Sequence, residues 1–354
     1  MTHPNAQEPD GADVHATHTS RRVRLQIRTQ PKIRRVDNFL SQRYATFSRA
    51  FFQKLIKAGK LAVNSRRVPA SYRLQEGDVL DFELPVQPER IIKPIPMDLD
   101  ILYEDDDLFV INKPAGIMIH PGKKDRDDTL ASGLIHHMHG MKKGKFNPGV
   151  VHRLDFNTTG VMVVAKTPVA HVYLSRQFET RQVHKEYLAL VRGALRRRVG
   201  QIDAPIGYHP GRWGLMSAAS DAARPRPALS IYEVRERFRD YTLVSVVLKT
   251  GRTHQVRVHF ESIGHPVVGE RYYRGTLGPD PLEELMPRLA LHAWRLRITH
   301  PTTREPMEFT AELPADFKAA LDHLRAEEQK AGAEDKRQPP DDGSEPDSAG
   351  VRNP

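Results

Sequence analysis

The chain of 354 residues contains no cysteine. This absence excludes disulfide cross-links, thiolate zinc sites, iron–sulfur clusters and a cysteine nucleophile. The chain also lacks any run of roughly 18 apolar residues, the length that a membrane-spanning helix needs, so we expect no membrane association. Residues 1–20 are polar and partly acidic. They resemble neither a signal peptide nor a transit peptide, and we therefore expect a cytoplasmic location.

Motifs of nucleotide-dependent and metal-dependent enzymes are also missing. No glycine pattern of a phosphate-binding loop or of a dinucleotide site occurs. Residues 184–186 match half of a zinc-deaminase signature, but its other half requires cysteines. His136, His137 and His139 are closely spaced, yet such histidines cap or pack a helix more often than they bind a metal. We expect neither a metal nor an organic cofactor.

Positive charge exceeds negative charge. The chain has 54 Lys and Arg against 44 Asp and Glu, a formal net charge of +10. Residues 323–354 carry a net charge of −3, so the preceding part of the chain carries +13. A strongly basic body favours polyanionic partners, nucleic acid first, although solubility alone is the simpler explanation.

Composition and periodicity divide the chain into four segments. Residues 1–34 predict a disordered basic arm, and residues 329–354 predict a disordered acidic tail. Between them, residues 35–86 predict a small α/β module and residues 97–322 predict a larger domain. Strands and helices do not alternate strictly in the larger domain. This favours an α+β fold with a mixed, mostly antiparallel sheet flanked by helices, over a doubly wound sheet.

Local signals predict several helices. In the module, Ser48 is a candidate N-cap for a helix that ends at Gly59. In the larger domain, residues 168–180 have helical spacing, and residues 253–263 predict a helix with Thr253 as its N-cap.

Charged residues stand beside turn-forming glycines or in short strands in four segments, which are residues 112–121, 152–160, 184–187 and 250–259. Each segment alone has a plain structural explanation. Asp155 followed by Asn-Thr-Thr-Gly is typical of a solvated turn, and Tyr187 in an alternating strand is typical of a core residue. Arg252 after a glycine is typical of a surface turn. Their common order and spacing are harder to explain in this way.

Taken together, the four segments resemble the RluA-type RNA pseudouridine synthases. The sequence His-Arg-Leu-Asp-x-x-Thr-x-Gly over residues 152–160 resembles the family's signature around its catalytic aspartate. Lys185-x-Tyr187 resembles its tyrosine motif, and residues 250–259 resemble its arginine-bearing motif. The remaining matches are Lys113-Pro114-x-Gly116, His120-Pro121, Thr129-Leu130, Leu291-His292-Ala293 and His300-Pro301. Residues 211–227 differ from the family's usual connector, which concerns substrate choice more than the reaction.

Residues 35–85 resemble a second family, the small RNA-binding module shared by a ribosomal small-subunit protein and tyrosyl-tRNA synthetases. Matching positions include Asp37, Ser48-Arg49, Val63-Asn64 and Gly77-Asp78. Cations of the module and of the signature are candidate contacts for RNA phosphates, namely Arg49, Lys54, Lys57, Lys60, Arg66 and Arg153.

The resemblance implies an isomerase that converts uridine to pseudouridine in structured RNA without a cofactor. It implies that Asp155 acts as a nucleophile or as a base on the ribose. Arg252, if it pairs with Asp155, would keep that carboxylate ionised. Tyr187 would offer an aromatic face to uracil and a phenol that relays a proton.

The module implies large-subunit ribosomal RNA as the substrate, and we expect a monomer. Two alternatives stay open, a tRNA substrate and a catalytically inactive RNA-binding or ribosome-assembly protein on the same fold. A uracil methyltransferase is disfavoured, because such enzymes need a methyl-donor site and usually a cysteine nucleophile.

A deletion of residues 1–90 tests the role of the module. We expect weaker RNA binding with a flatter salt dependence, because fewer phosphates would be neutralised, while the larger domain stays folded. Filter-binding titrations at several salt concentrations give both quantities. Unchanged affinity and an unchanged salt slope would contradict the assignment of the module to RNA binding.

Overall fold

The computed structural model describes most of the chain, namely residues 20–31, 33–44, 47–85, 92–120, 128–140 and 148–335. The chain divides into two compact units, residues 1–91 and 92–354. The predicted boundaries at residues 86 and 97 lie on either side of this division. No helix within these described ranges has both the length and the apolar character required to span a bilayer.

The smaller unit combines a four-stranded antiparallel sheet with two helices. Its elements are β1 (Ser20–Gln26), α1 (Val36–Arg43), α2 (Arg49–Lys57), β2 (Leu61–Val63), β3 (Arg66–Arg67) and β4 (Val79–Pro85). The strands are arranged in the order β1-β4-β2-β3. The core between helices and sheet contains Leu40, Phe52, Leu80 and Phe82, all of which are fully or almost fully buried.

Helix α2 begins at the predicted cap. The Ser48 hydroxyl accepts a hydrogen bond from the Phe51 N–H at 3.2 Å. A second polar contact holds the two helices together, because the buried Asp37 accepts hydrogen bonds from Arg49 and Gln53 at 2.9 and 2.8 Å. Burial alone would raise the pKa of Asp37, but its hydrogen-bond donors hold that pKa well below the usual range. Arg49, a candidate RNA contact, therefore has a structural partner.

The larger unit is built on a ten-stranded mixed sheet. Its elements are β5 (Ile101–Glu104), β6 (Leu108–Lys113), α3 (Leu130–Gly140), β7 (Gly149–Val150), β8 (Thr159–Ala165), α4 (Pro168–Glu179), β9 (His184–Arg192), β10 (Val199–Asp203), β11 (Ile206–Tyr208), β12 (Met216–Ser217), β13 (Ala223–Arg226), β14 (Leu229–Arg237), β15 (Tyr241–Leu248), α5 (Gln255–Ser262), β16 (Leu291–Thr299), β17 (Pro306–Thr310) and α6 (Ala315–Asp335).

The main path of this sheet is β10-β14-β15-β9-β16-β8-β6-β5, with β17 on β16 and β7 on β8. Strands β8 and β16 run parallel, and the other pairings of the described strands are antiparallel. Strands β12, β11 and β13 form a separate small sheet. The prediction of a mixed, mostly antiparallel α+β fold is confirmed.

Both segments predicted to be disordered are partly ordered. Ser20–Gln26 forms β1, in which Val23 lies opposite Phe82 and Leu25 opposite Leu80 of β4. The sequence analysis did not predict this strand, because the many arginines of the segment obscure the alternation of Val23 and Leu25 with exposed residues. Helix α6 extends to Asp335 and so includes the first residues of the predicted tail. Of the residues in these two predictions, 1–19, 32 and 336–354 lie outside the described residues.

Helix α5 begins later than predicted. Its N-cap is His254, in the left-handed region with a φ of +57°, and its first residue is Gln255. The Gln255 side chain accepts hydrogen bonds from the Thr250 hydroxyl at 2.7 Å and the Arg252 N–H at 3.0 Å. This closes the preceding turn, and Thr253 is left exposed instead of capping the helix. Helix α4 agrees with its prediction at the amino end, where Thr167 is the cap.

The parallel contact between β8 and β16 requires a glycine. Gly160 has a φ of +114°, and a Cβ there would lie 2.2 Å from the Ala293 carbonyl oxygen. Next to it, the His292 Nε2 lies 3.0 Å from the Ala311 carbonyl, which can only accept a hydrogen bond. The His292 Nδ1 is therefore the acceptor for the Thr159 hydroxyl at 2.8 Å. These contacts fix the point at which the signature segment enters the sheet.

We predict that Gly160→Ala lowers the free energy of unfolding by about 2–4 kcal/mol, because the methyl group meets backbone atoms and the φ is unfavourable. Gly278→Ala is the matched control, since nothing lies within 4 Å of a Cβ there. Urea unfolding of both variants measures the difference. Equal midpoints for the two variants would contradict the close approach of β8 and β16.

Candidate active site

Asp155 lies in the loop between β7 and β8. The buried ammonium of Lys113 fixes the backbone of this loop. The Lys113 ammonium is fully buried and donates hydrogen bonds to the carbonyls of Pro114, Phe156 and Thr158 at 2.8, 3.2 and 3.0 Å. Burial lowers the pKa of Lys113 to about 8, and the charge of Asp155 opposes this shift. The Asp155 side chain therefore projects from a loop whose backbone is fixed, and it is 18% exposed.

Arg257, and not Arg252, is the arginine that contacts this carboxylate. The Arg257 Nη1 donates to the Asp155 Oδ2 at 3.1 Å. The Nε and Nη2 of the same guanidinium donate to the two carboxylate oxygens of Glu270 at 2.6 and 2.9 Å. One buried cation thus bridges two carboxylates, which differs from the pairing expected for Arg252.

The charges of this cluster stabilise one another. Burial disfavours the charged form of Arg257, yet its hydrogen bonds to Glu270 and the charges of Glu270 and Asp155 raise the pKa of Arg257 above its ordinary value. Burial would raise the pKa of Glu270, but the hydrogen bonds and charge of Arg257 lower it. The Arg257–Glu270 pair is therefore charged at neutral pH.

His254 and Tyr273 complete the surroundings of Asp155. The His254 Nε2 lies 3.9 Å from the Asp155 Oδ1, and the His254 Nδ1 shares a 2.7 Å hydrogen bond with the Tyr273 hydroxyl. Burial lowers the pKa of His254, so its ring is mainly neutral near pH 7. The Tyr273 hydroxyl also accepts the Met216 N–H at 3.0 Å, and the Arg257 guanidinium lies 5.0 Å from the centre of the Tyr273 ring.

Tyr187 lies in the middle of β9, opposite Val246 on one side and Ala293 on the other. Its side chain is buried and lines the same cleft as Asp155. Burial raises the pKa of Tyr187, and the charge of Asp155 adds to this effect. The phenol therefore keeps its proton and can act as a hydrogen-bond donor.

The cleft above Asp155 and Tyr187 has a volume of about 440 Å³ and is strongly basic. At the rim of the cleft, the Arg252 Nε donates to the Pro227 carbonyl at 3.1 Å, and Pro227 directly follows β13. Burial lowers the pKa of Arg252, and the like charges of Arg181 and Arg226 lower it further. Five cations line the cleft without an ion pair to any carboxylate of the described residues, namely Arg153, Arg181, Lys185, Lys249 and Arg252.

His152 has a structural role in the signature. Its Nε2 accepts the Val163 N–H at 3.0 Å, and its ring stacks on Phe178 at 4.5 Å between ring centres. Burial, with a smaller effect of the Lys185 charge, lowers the pKa of His152 to about 3. The neutral ring therefore connects the signature segment to β8 and has a structural role.

The other predicted residues lie in two places. In the smaller unit, Lys54, Lys57, Lys60 and Arg66 are all exposed. In the larger unit, His137 lies 2.9 Å from a carboxylate oxygen of Glu104. His139 has a side chain outside the described residues, and within those residues no three His, Asp or Glu side chains are grouped as metal ligands.

Sequence reasoning missed Arg257, Glu270 and His254 as members of the site. A signal existed for two of them, because His254 and Arg257 are three positions apart at the start of a helix and therefore share one face. Glu270 carried no such signal. It lies in the loop after α5, and only the folded chain brings it to Arg257.

Comparison with known proteins agrees with both predicted resemblances. The family model for RNA pseudouridylate synthase matches residues 107–262, and the model for the S4 domain matches residues 34–80. The uncharacterized RNA pseudouridine synthase YlyB of Bacillus subtilis is 39% identical over 299 residues, which are 84% of this chain and 96% of that protein.

Two further similarities extend this result. Ribosomal large subunit pseudouridine synthase D of Xylella fastidiosa is 40% identical over 302 residues, which are 82% of this chain and 89% of that protein. Among solved structures, human RNA pseudouridylate synthase domain containing 1 has a TM-score of 0.53 and 31% identity. That alignment covers 66% of this chain and 95% of the human one.

The two arginines of the motif can be distinguished by stability. Arg257→Lys should lower the free energy of unfolding by about 2–4 kcal/mol, because an ammonium cannot replace the forked contacts to Glu270 and also reach Asp155. Arg252→Lys is the matched control and should change it by less than about 0.5 kcal/mol. Urea unfolding measures both, and equal losses would argue against Arg257 as the central cation.

Proposed function

The chain belongs to the RluA-type RNA pseudouridine synthases, and we propose that it acts on uridines of large-subunit ribosomal RNA. Relatives that share 40% and 36% of their aligned residues with it, from Xylella fastidiosa and Vibrio parahaemolyticus, are named ribosomal large subunit pseudouridine synthase D. The S4 domain and the basic cleft support an RNA substrate. Neither a tRNA substrate nor an inactive binding role has comparable support.

The reaction needs only positioned protein groups. The bond between ribose C1′ and uracil N1 breaks, the uracil turns, and C1′ bonds to uracil C5. N1 gains a proton and C5 loses one, so atoms and electrons balance without a donor or an oxidant. In our proposal the enzyme therefore uses no cofactor.

Asp155 is the group that we propose to act on the ribose, as a nucleophile or as a base. The observation that carries this assignment is its contact with Arg257 at 3.1 Å at the wall of the basic cleft. The guanidinium favours the ionised carboxylate and fixes its direction. Glu270 is a positioning residue, because it accepts hydrogen bonds from the Nε and Nη2 of Arg257 and keeps the guanidinium from turning away.

Tyr187 and the cations of the cleft supply the remaining roles. The ring of Tyr187 offers an apolar face to the uracil, and its protonated phenol relays the proton that leaves C5. A target uridine has to leave its stack to enter the cleft, which costs a few kcal/mol. Contacts of Arg153, Lys185 and Arg252 with RNA phosphates offset this cost.

Asp155→Asn tests the central assignment. The amide has nearly the same size but is neither nucleophile nor base, so turnover should fall by roughly 1,000-fold or more while RNA affinity is kept. The measurement is tritium release from an in vitro transcript of large-subunit ribosomal RNA labelled at uracil C5. The matched control is Asp203→Asn, an exposed carboxylate on β10 outside the lining of the cleft.

Two results would contradict the proposal separately. Tritium release by Asp155→Asn at a near wild-type rate would remove Asp155 from the chemistry. Release by the wild-type enzyme from tRNA transcripts, but not from the ribosomal transcript, would leave the chemistry intact and overturn the substrate.

A further inference from the structure

The small sheet of β11, β12 and β13 presents an isolated tryptophan to solvent. The side chain of Trp213 is 97% exposed, whereas the next most exposed large apolar side chain of the described residues, Val169, is 71% exposed. Trp213 lies in a turn closed by a 3.2 Å hydrogen bond from the Leu215 N–H to the Arg212 carbonyl. Gly214 in this turn has a φ of +81°, which favours glycine.

The turn is anchored to the active site. The Arg212 Nη1 donates to the Tyr272 carbonyl at 3.1 Å, and the Met216 N–H donates to the Tyr273 hydroxyl at 3.0 Å. That hydroxyl is the hydrogen-bond partner of His254, which lies 3.9 Å from Asp155. The turn that carries Trp213 is thus joined through Tyr273 and His254 to the surroundings of Asp155.

One strand of this sheet, β13, carries two arginines and ends next to the rim of the cleft. Arg224 and Arg226 of β13 are exposed and form no ion pair with a carboxylate of the described residues. The carbonyl of Pro227, directly after β13, accepts the hydrogen bond of Arg252 at the cleft rim. Nucleic-acid-binding surfaces combine aromatic faces for bases with cations for the adjoining phosphates.

We propose that Trp213 is a stacking platform for an unpaired base of the substrate RNA that lies outside the catalytic cleft. Arg224 and Arg226 contact the phosphates that flank this base. Trp213 is then a positioning residue, which holds the RNA so that the target uridine reaches Asp155. The inference rests on the proposed function for its ligand class, RNA, and not on the choice of ribosomal RNA.

A single exposed apolar side chain is common on protein surfaces and needs no function. Three observations together favour RNA here: the nearly complete exposure of Trp213, the hydrogen bond that ties its turn to Tyr273, and the exposed arginines of β13, which have no ion pair with a carboxylate of the described residues. A protein partner would bury an apolar patch with few charges at its centre, and the arginines of β13, in the same small sheet, favour a polyanion instead.

Fluorescence provides a direct test, because the chain has only two tryptophans. Trp294→Phe leaves Trp213 as the one indole. We expect addition of an in vitro transcript of large-subunit ribosomal RNA to quench its emission and to protect it from acrylamide. The matched control is Trp213→Phe, whose remaining Trp294 is partly buried beneath Arg295 and should respond little.

Affinity gives an independent measure. Trp213→Ala should weaken RNA binding roughly 5- to 50-fold, whereas Trp213→Phe should retain most of the affinity, because a smaller ring still stacks. Val172→Ala on α4 removes another exposed apolar side chain and should have no effect. Thermal unfolding shows that each variant is folded.

Wild-type affinity of Trp213→Ala, together with unquenched Trp213 emission in the saturated complex, would overturn the inference. Quenching without tritium release from the ribosomal transcript would support it and instead count against the proposed substrate. If that transcript is not bound, the same titrations use tRNA transcripts. An absence of quenching by both RNAs overturns the inference.

Discussion

The buried guanidinium of Arg257 is the contact on which the site depends. A buried charge is tolerated only when its donors are paired. Glu270 takes two of these donors and Asp155 takes one. Because Glu270 provides the larger share of the compensation, Asp155 is held in direction but keeps acceptor capacity toward the cleft. The arrangement makes a carboxylate both fixed and available, as the role that we propose for Asp155 requires.

The loop that carries Asp155 is fixed by contacts that take no part in the reaction. Lys113 donates to its backbone carbonyls, His152 fastens it to β8, and Gly160 permits the close approach of β16. Each is a buried polar group with a partner, or a glycine where any side chain would collide. Family motifs therefore contain many residues whose function is to hold the backbone, and the residue type alone does not separate these from the reacting groups.

The cations of the described residues also fall into two classes, those that have a partner within the protein and those that have no ion pair. Arg49 and Arg257 are paired with carboxylates, and Lys113 is paired with carbonyls. The cations of the cleft, such as Lys185 and Arg252, make no ion pair with a carboxylate of the described residues and remain available to a polyanion. The net charge of the chain therefore favours a polyanionic partner, and the cations without an ion pair mark the place where we propose that it binds.

The sequence by itself determined the α+β class and the N-cap of α2, because local spacing suffices for these. The resemblance of its motifs made Asp155 and Tyr187 candidate site residues, and both line one cleft. Tertiary structure decided what depends on distant pairing. Strand β1 exists because β4 lies beside it, and Glu270 belongs to the site because its loop returns to α5. The choice between Arg252 and Arg257 follows from the start of α5. One arginine precedes that helix and lies at the rim of the cleft, while the other is carried by its first turn toward the carboxylate.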